Sequence, residues 1–141
     1  MKPTLTAGLK HQMTYVVPEN KTVPHVFEDS PQFQVMPKVF ATAFLVGLLE
    51  RACIEGLMAH LDWPEEQTVG THIDVSHLAA TPPGMTVTVD VELIEVDKRR
   101  LVFEVSASDG IDVISRGRHE RFVVNAEKFN AGIAAKAAKA G

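Results

Sequence analysis

One long apolar helix followed by strands of alternating polarity predicts an α+β fold in which an antiparallel sheet curls around a single central helix, the hot-dog arrangement. Two observations carry this. The stretch Val39 to Leu61, VFATAFLVGLLERACIEGLMAHL, is apolar at helical spacing, and from Gln67 onward the period changes to two. A sheet with one central helix leaves edge strands and apolar surface uncovered, and pairing two copies would cover both, so a homodimer is expected.

Pro3, Pro18, Pro24, Pro31 and Pro37 keep the first 37 residues from forming one helix, which predicts an irregular arm with a short strand at Tyr15 to Val17. Within it PQFQVMP, Pro31 to Pro37, sets Phe33, Val35 and Met36 between two prolines and reads as a stiff lid over an apolar site. The helix is expected from near Phe40 or Phe44 to about His60, ending before Asp62-Trp63-Pro64 because the residue before a proline is pushed out of helical geometry.

Val69 to Ala79 alternates as a strand, with Ile73, Val75 and His77 on one side. Thr81-Pro82-Pro83-Gly84 turns the chain, and Thr86 to Val96 places Val87, Val89, Val91 and Leu93 on one face. Asp97 to Arg100 is a polar turn, Leu101 to Ala107 a half-buried strand, Asp109-Gly110 a two-residue hairpin signal, and Ile111 to Val124 the last strand. These last three strands form a meander of antiparallel neighbours. Residues 130–141, rich in Ala, Lys and Gly and without an apolar face, are expected to be a flexible tail, a fraying helix or disordered.

A chain of 141 residues with 45% hydrophobic content supports one domain with a real core. Its formal net charge of −4 provides no broad field for nucleic acid. Cys53 is the only cysteine, so no internal disulfide forms, and the N-terminus lacks the pattern of a secretion signal, making the cytoplasm the expected compartment. Uncharged apolar sequence runs only from Val39 to Leu49, short of the roughly 20 residues that span a bilayer, so no membrane association is expected.

Two ionisable groups stand in apolar surroundings. On a helical wheel Glu50 falls among Ala43, Val46, Ile54 and Leu57, and His77 is the ionisable group on the Ile73/Val75 side of its strand. A carboxylate so placed costs several kcal/mol unless it is paired, hydrogen-bonded or protonated. If helix and sheet pack by those faces, within a chain or across a dimer, Glu50 meets His77. Thr42 adds a hydroxyl, completing the residue types of nucleophile, orienting acid and base. Eight helical residues rise roughly 12 Å, so Thr42 and Glu50 cannot touch on one straight helix. Thr42 is also a natural N-cap, and a buried Glu–His pair can be purely structural.

The blocks VFATAFLVGLLERAC, GTHIDVSHLAATPPGMTVTV and RGRHERFVVNAEKFN resemble the fluoroacetyl-CoA thioesterase family, small hot-dog enzymes that hydrolyse acyl-CoA thioesters. The resemblance spans about Tyr15 to Asn130. It implies a catalytic triad of Thr42, Glu50 and His77, a glycine near the thioester at Gly70, a substrate-side arginine at Arg121, and CoA bound along a dimer interface as part of the substrate, with no separate cofactor. The fluoroacetyl-selective enzyme carries two phenylalanines in the lid, whereas here Phe33 is kept and Met36 takes the second position. Methionine is longer and less shape-defining, which predicts a pocket tolerant of ordinary short acyl groups.

The remaining histidines, His11, His25, His60 and His119, lack ligand-like spacing, and His72 and His77 face opposite sides of a regular strand, so no metal site is expected. Each of the four reads as a surface or capping histidine. Cys53 reads as a core residue, and Lys98-Arg99-Arg100 as a solvated turn whose alternative role is holding CoA phosphates. Two other functions are compatible with the pattern: a hot-dog hydratase or dehydratase, and a non-catalytic module binding acyl-CoA or a small acid.

Overall fold

The computed structural model describes residues Met1–Gly141. Five strands, β1 (Lys10–Val16), β2 (Glu66–Val75), β3 (Thr86–Asp97), β4 (Arg100–Ser108) and β5 (Val113–Asn125), form one sheet in the order β1-β3-β4-β5-β2. Every neighbouring pair is antiparallel. The helices are α1 (Pro31–Gln34), α2 (Thr42–Leu57) and α3 (Ala126–Ala140). The sheet lays its inner face against α2, the hot-dog fold.

The core lies between them. Leu45, Leu48, Leu49, Ala52, Cys53 and Leu57 recur along one side of α2. They meet Val87, Val89, Val91 and Leu93 of β3 and Leu101, Phe103, Val105 and Ala107 of β4, the residues that period-two alternation places on one face. Each large aliphatic side chain fully buried here contributes about 1.5–3 kcal/mol. After Leu57 the helix tightens into a 3-10 turn, Met58–His60, and stops ahead of Pro64, as the proline requires.

Several expectations need correction. The first 37 residues are not wholly irregular, because β1 is a seven-residue edge strand paired with β3. Its inward positions are His11, Met13 and Tyr15, and the polar ring among them hides the alternation. The two-residue hairpin is at Lys98-Arg99, with Lys98 at φ 56°, rather than at Asp109-Gly110. There the loop is longer, because the Asp109 carboxylate accepts from the backbone N–H groups of Ile111 and Asp112 and from the Thr81 hydroxyl. Residues 130–140, for which a fraying helix or disorder was expected, continue α3, whose start is capped by the Asn125 side chain accepting from the Lys128 N–H.

Strand β2 is shorter at its end than expected: it stops at Val75 and carries a bulge between Gly70 and His72. The bulge resets the side-chain alternation that had been extrapolated to His77. Since β2 pairs only with β5, its other edge is open, and Gly70 through Asp74 are exposed.

Candidate active site

Thr42 opens α2. The N-cap is Ala41, not Thr42, and no side chain caps the helix, so the first-turn N–H groups have no side-chain acceptor. The Thr42 side chain is thereby free to point elsewhere, and its hydroxyl lies 2.7 Å from Nδ1 of His77. His77 is not on a strand but in the segment after β2, where Leu78 N–H donates to the Ile114 carbonyl and holds the chain against β5. Its Nε2 is buried with no hydrogen-bond partner in the chain. Burial holds the imidazole below its ordinary value of 6.5, partly opposed by the Ala79 main chain. A neutral ring accepting the Thr42 proton at Nδ1 carries its own proton on Nε2. This is the geometry of a hydroxyl and its general base.

Glu50 forms a second cluster. It was expected on the most buried face of the helix, but that face is centred on Leu45, Leu49 and Ala52, and Glu50 lies on its flank with a side chain 40% exposed. No hydrogen bond or ion pair joins it to His77 within the chain. Its neighbours are Nη1 of Arg121 at 3.8 Å and Nε2 of His119 at 3.9 Å, both from β5. The helix rise that separates Thr42 from Glu50 therefore divides the predicted triad into a Thr42–His77 pair and a Glu50–Arg121–His119 group.

Gly70 faces Arg121 in the β2–β5 register. A Cβ there would sit 2.7 Å from Glu50 Oε1, 3.3 Å from His119 Cε1 and 3.4 Å from Arg121 Nη1. The missing side chain is what lets the carboxylate lie over β5. Arg121 is 3% exposed. Its Nε donates to Thr68 Oγ1 at 2.8 Å and its Nη2 to the Thr68 carbonyl at 2.9 Å, so the guanidinium is fixed from the β2 side. Burial pulls it below its ordinary value, with Glu50 the main opposing charge.

His119 is a residue that sequence reasoning missed. Assigned to the surface, it is 1% exposed. The signal was present: period two along β5 puts His119 and Arg121 on the same face as Val123, itself fully buried. Cys53 is a core residue as expected, its thiol pushed up to about 12 by burial.

The segment holding Pro31 to Pro37 is closed at its base by a Thr22–Phe40 bridge and by Val23 N–H donating to the Val39 carbonyl. Inside it, Phe33 meets Phe27 edge-on at 5.3 Å, and the Gln34 amide donates to the carbonyls of Pro24 and Phe27. Val35 and Met36 remain exposed in the single chain. No helix is long and apolar enough to cross a membrane.

Comparison with known proteins agrees with this architecture. A family model described as fluoroacetyl-CoA-specific thioesterase matches residues 17–127. The fluoroacetyl-CoA thioesterase of Streptantibioticus cattleyicolor is 49% identical over 136 residues, covering 96% of this chain and 97% of that protein. A solved structure of a mutant of the fluoroacetyl-CoA thioesterase FlK in complex with acetyl-CoA is 48% identical, with 94% of this chain and 98% of that one covered at a TM-score of 0.91. A thioesterase superfamily member from Thermus thermophilus is 28% identical, with 99% and 97% covered at a TM-score of 0.84. With a family model matched over most of its length and a relative half identical across nearly all of it, the chain belongs to the fluoroacetyl-CoA-specific thioesterase family.

Proposed function

We propose that the protein is an acyl-CoA thioesterase that hydrolyses short-chain acyl-CoA to the free acid and CoA, with Thr42, Glu50 and His77 as its catalytic residues and no cofactor beyond the CoA of the substrate. The observation that carries this reading is the 2.7 Å contact between the Thr42 hydroxyl and Nδ1 of the half-buried His77 at an uncapped helix start. In the forward step Nδ1 takes the proton of the attacking hydroxyl, the acyl carbon bonds to that oxygen, and the C–S bond breaks. The proton then passes to the departing thiolate. The free first-turn N–H groups of α2 receive the negative charge that grows on the carbonyl oxygen. Glu50 acts from the other end of the bound acyl group. Its position set by Gly70 and Arg121, it takes a proton from the water that bonds to the acyl carbon; the bond from that carbon to the Thr42 oxygen breaks, and the proton returns to the Thr42 hydroxyl as the acid leaves.

The open edge of β2 and the exposed flank of α2 beside it are the surfaces through which two copies pair, and CoA lies along that interface. Phe33 and Met36 border the acyl pocket. With the flexible Met36 in the lid, the pocket accepts acetyl and propionyl groups rather than selecting for fluoroacetyl.

A thiol-release assay over fluoroacetyl-, acetyl-, propionyl- and butyryl-CoA tests the reading. Release of thiol from the short esters supports it. Thermal stabilisation by CoA esters without thiol release would replace it with a binding module, and a strong fluoroacetyl preference would overturn the role given to Met36. Mass spectrometry of the rapidly quenched reaction tests for the acyl group on Thr42.

A further inference from the structure

Nδ1 of His119 lies 2.7 Å from the carbonyl oxygen of His72. A carbonyl accepts only, so the Nδ1 carries the proton and the neutral ring presents a lone pair at Nε2. That lone pair lies 3.0 Å from Nη1 of Arg121, which always donates. With Thr68 taking Nε and Nη2, the guanidinium has an acceptor on each of its three nitrogens. What remains of Nη1 faces Glu50 Oε1 at 3.8 Å. The bulge between Gly70 and His72 belongs to the same device, since it places the His72 carbonyl that fixes the ring.

We infer that His119 is a positioning residue for thioester hydrolysis: by accepting from Arg121 at Nε2 it fixes the guanidinium that holds the Glu50 carboxylate in place. This deepens the proposed function and rests on its assignment of Glu50. A buried arginine needs every strong acceptor it can reach. Removal of one lets the fork rotate on its Thr68 anchors and carries the charge facing Glu50 with it.

The ring's two bonds can be separated by substitution. His119→Asn keeps a short amide able to donate toward the His72 carbonyl but cannot reach Arg121, whereas His119→Gln puts an amide oxygen near the former Nε2. Since a displacement of about 1 Å at a reacting group costs on the order of 100-fold, His119→Asn is expected to lower kcat for acetyl-CoA by about 10-fold or more while KM moves less than about 3-fold. His119→Gln is expected to recover most of that loss. Thr68→Val, which removes the Oγ1 acceptor of Arg121 Nε and leaves the Thr68 carbonyl to Nη2, supplies a second variant should His119→Asn fail to fold, with the same selective fall in kcat expected.

Equal loss in the Asn and Gln variants, or kcat within about twofold of wild type in folded His119→Asn or Thr68→Val, would overturn the inference. Glu50→Gln is measured alongside. If it keeps normal turnover, the underlying assignment of Glu50 fails. If it is inactive while the His119 and Thr68 variants are normal, only the positioning role fails.

Discussion

Gly70→Ala separates activity from stability more cleanly than any other single change. Gly70 is in β2 with no positive φ, so an alanine adopts the backbone without strain and restricts the unfolded chain, an effect worth about 0.4–1 kcal/mol in favour of the fold. The new Cβ would be 2.7 Å from Glu50 Oε1, whereas contacts under 3.0 Å essentially do not occur. The atom that must yield is the far end of a flexible, half-exposed side chain, so the structural cost is small. Relief to ordinary contact requires the carboxylate to move by roughly 0.5–1 Å, and displacement on that scale at a reacting group reduces turnover by about 10- to 100-fold. The same Cβ would lie 3.3 Å from His119 Cε1 and 3.4 Å from Arg121 Nη1, so it presses on the groups beside Glu50 as well as on the carboxylate. The assay pairs steady-state thiol release from acetyl-CoA with a thermal melt. A variant with unchanged or raised Tm and strongly reduced kcat fits the reasoning. Undiminished kcat in a folded variant would show that the carboxylate has no fixed working position.

Three further outcomes are expected. Glu50→Gln and His77→Ala each abolish most thiol release while circular dichroism stays that of the wild type, and a variant near the normal rate removes its residue from the mechanism. Gly117→Ala acts on the fold, because its Cβ would lie 2.0 Å from the Asp74 carbonyl oxygen, a rigid backbone atom; unfolding by urea is expected to show a loss of about 1–3 kcal/mol. Stability also depends on pH. His77 and His119 are both held below 6.5 by burial, His119 in spite of the His72 carbonyl. The unfolded chain therefore binds more protons between those lowered values and 6.5, so stability is complete above 6.5 and falls as the pH drops through that window. His119 alone contributes a slope of up to about 1.4 kcal/mol per pH unit. Calorimetry at about pH 7.5 and 5.5 checks this, and a Tm that rises on acidification would contradict it.

Local periodicity made much of the fold legible. The apolar run that becomes α2 and the alternating Val87, Val89, Val91 and Leu93 of β3 both carry their burial in their spacing, because one face of each element must leave water. Lys10–Val16 was less legible, since His11 interrupts its alternation and its pairing with β3 is a long-range choice. In the site, Thr42, Glu50 and His77 stood out as polar groups in apolar surroundings. Their grouping did not, because a helical wheel gives direction but not the element lying opposite.

The sequence by itself determined the element types, the hot-dog arrangement and the residue types available for acyl transfer, since these follow from side-chain period and chemistry along the chain. Only the tertiary structure decided that Thr42 meets His77 while Glu50 meets Arg121 and His119. That division depends on the β2–β5 register, on the bulge after Gly70 and on the helical rise between positions 42 and 50. Each fixes distances between segments far apart in the chain, and no local pattern encodes such distances.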